Sequence, residues 1–317
     1  MNVVFVGGFW ATNIGNSFYD LGAKFFLDDL EKFASVKFYP DLADHFWKNK
    51  ANFEPMNFID CDLIIFGGPI IGDVLLNYSS CFDYFMERGV KVGFLSAGLQ
   101  KYQSLSSDVL SFFDDYAPII EFISTRDEVS YGILNQELDL PIHDGICCSF
   151  YLKNMRDTFA DLKLPNHVAW AFDNFSGVSV IDKKVKKSFG NLLRFGNSDL
   201  DSDGKVIIRV NHGSITQIGS PFRFKNTYYS DIPFGYLSIY KSVDSVFSDR
   251  VHAIAGALAM GAKAMYLPTG RRSRDGRFHL LNRICDGNVF EEPTRLNTSA
   301  VDREFILMKD FIVGILK

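Results

Sequence analysis

Residues 243–261 read VDSVFSDRVHAIAGALAMG, and this stretch decides the fold that we predict for the chain. The apolar run at its start predicts a strand, and Ser248 and Asp249 are residue types that cap helix N-termini. The small and apolar residues that follow predict a helix ending at Gly261, since glycine is preferred just after a helix. Residues 263–267 predict another strand. The stretch is therefore a strand–helix–strand unit, from which parallel α/β sheets are built.

The turn between the first strand and the helix carries Arg250 and His252. The first turn of a helix has backbone N–H groups without intrahelical partners and the positive end of the helix dipole, so it attracts anions. An arginine there can bind a phosphate or a carboxylate with two hydrogen bonds, and a histidine can exchange a proton near neutral pH. Taken alone, the turn favours a structural role, in which Arg250 pairs with Asp249 or another carboxylate and His252 caps the helix. The rest of the chain strengthens the alternative of a site for an anion.

Composition and charge limit the classes of function open to this chain. Its 317 residues suit two domains, and a content of 47% hydrophobic and 22% charged residues predicts a globular protein. The formal net charge of −5 argues against nucleic acid as the main partner. The five cysteines are odd in number and lack metal-site spacing, so we expect reduced thiols and no metal site.

The sequence predicts a cytoplasmic protein. No window of about 18 residues is apolar enough to predict a membrane span. The start, MNVVFVGG, lacks the basic segment of a secretion signal. Peripheral attachment at the inner membrane face would follow from a lipid-linked substrate, although no basic amphipathic helix requires it.

Strand and helix patterns alternate through residues 1–160 and predict an N-terminal Rossmann-like domain, with an edge strand at 141–144. Ligands of such sheets bind beyond the carboxyl ends of the strands, where glycines allow close approach. The candidate binding residues there are Asn13, Gly15 and Asn16 after the first strand, and Gly67 and Gly68 after the strand at 62–66. A tight turn without a ligand explains either loop equally well.

A second turn repeats the pattern found at Arg250. The strand at 122–124 ends, Arg126 follows, and a helix begins with the acidic residues Asp127 and Glu128. Arg126 is therefore a second candidate for binding an anionic substrate. An ion pair with the two neighbouring acids is the alternative.

Residues 161–317 predict a second Rossmann-like domain around the strand–helix–strand unit. The strand at 205–210 is followed by His212, which we expect to be a surface residue of a loop; a position lining a cleft between the domains is the alternative. A basic helix is predicted at 183–195. A final amphipathic helix is predicted at 297–316 and can pack back on the N-terminal domain.

A loop rich in arginine follows the last strand of the unit. It contains Arg271, Arg272, Arg274 and Arg277. Arg271 is our candidate for contact with an anionic substrate, with the loop acting as a lid. A solvated cationic loop without a ligand is the alternative.

Four stretches of the chain together resemble the polysaccharide pyruvyl transferase family. They are NIGN at 13–16, DLIIFGG at 62–68, FISTRDEVS at 122–130, and YLSIY at 236–240 with VFSDRVHA at 246–253. The last is the most specific, and the four span nearly the whole chain. Asn16 stands where the family more commonly has aspartate, and Pro69 where it has a third glycine, so both departures lie in the N-terminal half.

The resemblance implies two Rossmann-like domains that face a cleft, as in the GT-B glycosyltransferases. It implies phosphoenolpyruvate as co-substrate, no separate cofactor, and a pair of sugar hydroxyls as acceptor. The product would be a pyruvate ketal on a bacterial capsule, exopolysaccharide or other surface glycan, or on its lipid-linked precursor. The N-terminal domain would bind the acceptor and the C-terminal domain the donor.

The resemblance also suggests roles for the candidate residues. Arg126 and Arg250 would each bind one end of phosphoenolpyruvate, with help from the backbone N–H groups of Val251 and His252. His252 would donate a proton or stabilise the leaving phosphate, and both roles stay open. The alternatives for the whole protein are a sugar-nucleotide-dependent GT-B glycosyltransferase and a non-catalytic glycan-binding relative.

Overall fold

The computed structural model describes residues 1–7, 13–40, 60–164, 166–172, 204–212, 226–267 and 279–316. These residues form two parallel β-sheets with helices, which confirms the predicted α/β class. The chain divides into two compact units. The first comprises Met1–Phe9, Gly22–Cys148 and Asp302–Lys317, and the second comprises Trp10–Leu21 and Ser149–Val301. A single domain boundary after residue 160, and a cleft between the domains, stay predictions.

The first sheet is built from strands β1 (Asn2–Gly7), β2 (Ser35–Pro40), β3 (Leu63–Gly67), β4 (Lys91–Ala97), β5 (Ile120–Thr125) and β6 (Ile142–His143). They are all parallel and pair in the order β2-β1-β3-β4-β5-β6. The edge position of β6 confirms the strand predicted at 141–144. Because the order reverses at β1, the switch point of this sheet lies between β1 and β3.

Eight α-helices accompany the strands in the described ranges. They are α1 (Gly15–Asp28), α2 (Ser79–Arg88), α3 (Ser107–Tyr116), α4 (Glu128–Glu137), α5 (Pro233–Ser242), α6 (Val251–Ala259), α7 (His279–Ile284) and α8 (Thr298–Ile315). The helix α8 confirms the final helix predicted from the sequence. The basic helix predicted at 183–195 and the arginine-rich loop lie outside the described residues.

Helices cover both faces of the first sheet, as a parallel sheet requires. On one face, Phe66 of β3 and Phe82 of α2 stack with ring centroids 5.6 Å apart, in a buried cluster that includes Ile123 of β5. Phe122 precedes Ile123 and therefore points to the other face. There its ring lies 6.4 Å from that of Phe311 in α8. Much of the phenylalanine in this sequence thus serves the core of the first unit.

The second sheet is built from strands β7 (His167–Ala171), β8 (Val206–Val210), β9 (Thr227–Tyr228), β10 (Ser245–Ser248) and β11 (Lys263–Tyr266). They are parallel and pair in the order β11-β10-β7-β8-β9. This is the strand order of a Rossmann sheet, with its switch point between β7 and β10. The elements β10, α6 and β11 confirm the predicted strand–helix–strand stretch.

The five cysteines, all in the described part of the chain, are buried thiols. Among the helices that the structure describes, none combines the length and the apolar character needed to cross a bilayer.

We expect opposite stability changes from alanine at two glycines of the first unit. Gly68 has a φ of +80°, so Gly68→Ala should lower the free energy of unfolding by about 1–2 kcal/mol through backbone strain. Gly132 lies inside α4 with nothing within 4 Å of an added Cβ, so Gly132→Ala should raise it by about 0.5–1 kcal/mol. Urea denaturation followed by circular dichroism measures both. A change of the same sign in both variants would contradict this assignment.

Candidate active site

The turn after β10 is held by hydrogen bonds of Ser248. Its Oγ donates to the carbonyl of Ala171 at the end of β7, across the switch point, and accepts from the N–H of Arg250 at 2.9 Å. Arg250 is the N-cap residue of α6, with φ −111° and ψ 124°. The prediction that Ser248 or Asp249 caps this helix was therefore wrong, because Ser248 joins the two strand ends instead.

This turn places Arg250, Val251 and His252 at the carboxyl edge of the second sheet. All three are half-buried, and Val251 and His252 lie in the first turn of α6. The first N–H groups of a helix have no intrahelical partner and lie at the positive end of its dipole. The location beside the switch point between β7 and β10 is where sheets of this type bind ligands.

The beginning of α1 belongs to the same unit and contacts this turn. The Asn13 Oδ1 accepts a hydrogen bond from the N–H of Gly15 at 3.0 Å and one from the Arg250 Nη1 at 3.3 Å. The N–H of Asn16 donates to the Asn13 carbonyl at 2.9 Å. Asn13 therefore both shapes its own turn and orients the guanidinium of Arg250.

Gly15 lies where two histidines approach the chain. A Cβ added at Gly15 would lie 2.7 Å from the His252 Cβ and 3.2 Å from the His212 Nδ1. A side chain at residue 15 would therefore displace one histidine or the other. The glycine serves the close approach, which is the reason for a glycine in the NIGN stretch.

His212 is buried, with 1% of its surface exposed, so the prediction of a surface loop residue was wrong. Its Nε2 lies 2.5 Å from the Tyr240 Oη, and its carbonyl accepts a hydrogen bond from the N–H of Ile14 at 3.1 Å. Its ring also meets Phe18 of α1 edge to face, with centroids 5.5 Å apart. Sequence reasoning missed this residue because its partners lie far away along the chain.

A sequence signal for this cluster exists in the YLSIY stretch. Tyr236 and Tyr240 are one helical turn apart in α5 and share a face. The Tyr236 Oη donates to the carbonyl of Asn211 at 2.7 Å, while the Tyr240 hydroxyl bonds to His212. The two tyrosines thus bind two consecutive residues after β8. These contacts explain why the stretch contains two tyrosines one helical turn apart.

Burial keeps His212 uncharged. Desolvation is the largest cause that lowers the pKa of His212 well below 6.5, and the nearby Arg250 and His252 lower it further. Burial also raises the pKa of Tyr240 well above 10.0, with Tyr236 adding to the effect, so its phenol keeps its proton. The pair is therefore a neutral imidazole bonded to a neutral phenol.

Arg126 occupies a buried position in the first unit, with 5% of its surface exposed. Its side chain lies against Gly98, where an added Cβ would come within 2.2 Å of the Arg126 Nε. The Nε lies 3.6 Å from the Asp127 Oδ2. The ion pair considered as an alternative is therefore present. It does not exclude anion binding, since a guanidinium has five N–H donors.

Asp127 and Ser130 explain the rest of the FISTRDEVS stretch. Asp127 is the N-cap of α4, and its carboxylate accepts from the Ser130 N–H at 2.8 Å and from the Ser130 Oγ at 3.1 Å. The Ser130 Oγ in turn accepts from the N–H of Leu99 at 3.1 Å. This network ties the turn after β5, which carries Arg126, to the loop after β4.

Gly67 and Gly68 form the turn after β3. Gly67 pairs with Leu95 of β4, and the carbonyl of Gly68 accepts hydrogen bonds from the N–H groups of Ile70 and Gly98 at 2.9 and 3.0 Å. The turn thus joins the carboxyl ends of β3 and β4. A role of these glycines in substrate binding stays a prediction.

The structure gathers part of the predicted site within one unit. Asn13, Gly15, Asn16, Arg250, Val251 and His252 lie in the second unit, and Arg126, Gly67 and Gly68 lie in the first. Arg271 lies outside the described residues. The described ranges contain no group of three or more His, Cys, Asp or Glu side chains that could hold a metal ion.

A comparison with models of protein families identifies the family of this chain. The model of the family described as polysaccharide pyruvyl transferase matches residues 13–270, which is most of the chain. The chain belongs to this family. The protein is therefore a transferase that acts in the pyruvylation of polysaccharides. No curated protein sequence matches this pyruvyl transferase at a significant level.

Solved structures resemble the pyruvyl transferase in fold. A Listeria monocytogenes structure assigned as a UDP-N-acetylglucosamine 2-epimerase is 11% identical, with TM-score 0.50, and the match covers 98% of this chain and 88% of the Listeria chain. A functionally uncharacterized Klebsiella pneumoniae protein is 13% identical, with TM-score 0.48, and the match covers 88% of this chain and 87% of the Klebsiella chain. The UDP-GlcNAc 2-epimerase of Methanocaldococcus jannaschii is 11% identical, with TM-score 0.48, and the match covers 97% of this chain and 99% of the epimerase chain. Such distant similarity shows the fold alone.

We expect His212 to make the pyruvyl transferase less stable in acid. The unfolded chain takes up a proton near the ordinary histidine pKa of 6.5, whereas the folded protein keeps His212 neutral well below it. The unfolded state therefore binds more protons as pH falls below about 6.5. The free energy of unfolding should fall by up to about 1.4 kcal/mol per pH unit for this group.

Urea denaturation at several pH values between 7 and 5 measures this slope. His212→Gln should remove the contribution of His212. His167→Gln, at the start of β7 and outside the cluster, is the control for loss of a histidine. A His212→Gln protein with the full wild-type slope would contradict the assignment of a neutral buried imidazole.

Proposed function

We propose that this pyruvyl transferase takes its pyruvyl group from phosphoenolpyruvate and forms a ketal with two hydroxyls of a sugar. The observation that carries the proposal is the first turn of α6, where Arg250 and His252 lie beside the switch point and Asn13 orients the arginine. The family assignment supports a polysaccharide as acceptor. The donor and the ketal are the parts that we add.

Phosphoenolpyruvate carries a phosphate and a carboxylate, so its site needs cations in fixed positions. Arg250 has a planar fork of donors that suits either group, and its contact with Asn13 limits the orientations of that fork. The helix N-terminus at Val251 and His252 adds backbone donors and a favourable dipole. We assign the second cation to Arg126, whose contact with Asp127 restricts its guanidinium in the same way.

The reaction can be written with all atoms and charges balanced. A proton adds to the methylene carbon of phosphoenolpyruvate, which leaves a cationic carbon that bears the phosphate ester. One sugar hydroxyl adds to this carbon and releases its proton. The carbon–oxygen bond to phosphate breaks, the second hydroxyl adds, and a second proton leaves. The products are the cyclic ketal and inorganic phosphate.

His252 is our candidate for the acid in this sequence. It can donate the proton that reaches the methylene carbon, or it can stabilise the departing phosphate. Either role fits its place one residue beyond Val251 in the first turn of α6. We further assign the acceptor to the N-terminal domain, with Gly67 and Gly68 at its edge, and a substrate contact to Arg271.

The biological setting that we infer is the synthesis of a bacterial surface glycan, such as a capsule or exopolysaccharide. The enzyme would work in the cytoplasm, where phosphoenolpyruvate is made, and at the inner membrane face if the acceptor is lipid-linked. The alternative function is a glycosyltransferase that uses a sugar nucleotide. Fold similarity to an epimerase of UDP-N-acetylglucosamine fits that alternative but extends no further than fold.

Calorimetric titration separates the donor classes and tests the arginines. We expect saturable binding of phosphoenolpyruvate and none of UDP or GDP. Arg250→Ala and Arg126→Ala should each weaken binding by about 10- to 100-fold, since a hydrogen-bonded charge contributes about 1.5–3 kcal/mol. Lys24→Ala, which removes an exposed cation from α1, is the control. Nucleotide binding would favour the glycosyltransferase, and unchanged affinity in both arginine variants would eliminate the proposed cation pair.

His252→Ala should lower turnover more than donor affinity. A positioned acid or base contributes about 10²- to 10⁴-fold to a rate, whereas loss of one ligand contact changes affinity much less. Release of inorganic phosphate with a candidate acceptor measures turnover, and calorimetry measures the dissociation constant of phosphoenolpyruvate. Equal losses in both quantities would assign His252 to donor binding rather than to the chemical step.

A further inference from the structure

The pair formed by His212 and Tyr240 lies directly behind the proposed donor site. Its hydrogen bond is short, with the His212 Nε2 and the Tyr240 Oη 2.5 Å apart, and both side chains are buried. The other ring nitrogen of His212 would lie 3.2 Å from a Cβ at Gly15, and the His252 Cβ would lie 2.7 Å from the same point. His212 and His252 therefore both lie close to the Cβ position of one glycine.

Packing and stability alone do not account for a histidine here. The Nδ1 of His212 is buried and has no hydrogen-bond partner among the described residues. An unpaired polar atom in the interior is destabilising. A phenylalanine ring at residue 212 would fill the same space without that cost, provided that the hydroxyl of Tyr240 were also removed to make room. The chain instead keeps both polar groups next to Arg250 and His252.

We propose that His212, oriented by Tyr240, is a positioning residue of the pyruvyl transfer site. This inference rests on the function proposed above. His212 acts through the first turn of α1: its carbonyl binds the N–H of Ile14 and its ring contacts Gly15. The same turn contacts His252 at Gly15 and orients Arg250 through Asn13.

An uncharged side chain suits residue 212, which lies beside Arg250 and His252. A positive charge on His212 would repel Arg250 and a protonated His252, and it would favour loss of the proton from His252. Burial keeps the pKa of His212 low, so the imidazole supports the turn without adding charge. The His212 Nε2 and the Tyr240 hydroxyl share one hydrogen bond, and the Nδ1 of the ring faces Gly15. The groups that face this ring are Tyr236, Tyr240, Arg250 and His252.

The deciding variant replaces both partners together. The double change His212→Phe with Tyr240→Phe removes the hydrogen bond and the unpaired nitrogen while it keeps the ring volume. We expect a melting temperature equal to or above that of the wild type, and a kcat/KM for phosphoenolpyruvate at least 10-fold lower. Wild-type kcat/KM in the double variant would overturn the proposal.

Two single variants separate the ring nitrogens. His212→Gln places an amide near the position of Nε2, where it can still bond Tyr240, and should keep kcat/KM within about 3-fold. His212→Asn cannot reach Tyr240 and should show a loss close to that of the double variant. Equal activity in the two variants would contradict positioning through Tyr240. Tyr116→Phe, which removes a buried phenol bonded to Asp83, is the control and should leave kcat/KM unchanged.

A measurement without substrate keeps the inference separate from the proposed function. Nuclear magnetic resonance of ¹⁵N-labelled histidine rings follows the titration of His252, assigned with His252→Gln. The His252 midpoint should shift in Tyr240→Phe and stay unchanged in Tyr116→Phe. An unchanged midpoint in both would overturn the inference even if phosphoenolpyruvate binds. A shifted midpoint in a protein that fails to bind phosphoenolpyruvate would overturn the proposed donor and leave His212 as a positioning residue.

Discussion

The close approach of His212 and His252 to Gly15 is the constraint on which the candidate site depends. It sets the distance between the start of α1 and the start of α6, two helices that are far apart along the chain. Asn13 then falls within hydrogen-bond distance of Arg250. A larger residue at position 15 would separate these helices, so the geometry of the arginine follows from the absence of one side chain.

The local elements were predictable, because their signals lie within a few residues. The apolar runs, Gly261 and the Arg250–His252 turn sufficed to predict β10, α6 and β11. The exact helix cap was not predictable, since the choice between Ser248 and Arg250 depends on the carbonyl of Ala171 in another strand. The burial of His212 depends on tyrosines in α5 and on α1, and no local pattern reports such contacts.

The two candidate arginines differ in how the protein restrains them. Arg126 is nearly enclosed, with its guanidinium against the backbone of Gly98 and next to a helix-capping carboxylate. Arg250 is half-buried, and its Nη1 donates a hydrogen bond to the neutral amide of Asn13. Arg126 therefore has a structural role beside any binding role, and Arg250 is tied to the start of α1.

The way in which α1 is shared has an evolutionary consequence. Residues Trp10–Leu21 cluster with the second unit, and residues Gly22–Cys148 cluster with the first. A gene recombination that joined two relatives near the middle of the sequence would inherit Asn13 and Gly15 from one parent and Arg250 and His252 from the other. Such hybrids would combine mismatched partners in the contacts between the start of α1 and the start of α6. The segment Trp10–Leu21 is therefore expected to be inherited together with the C-terminal half.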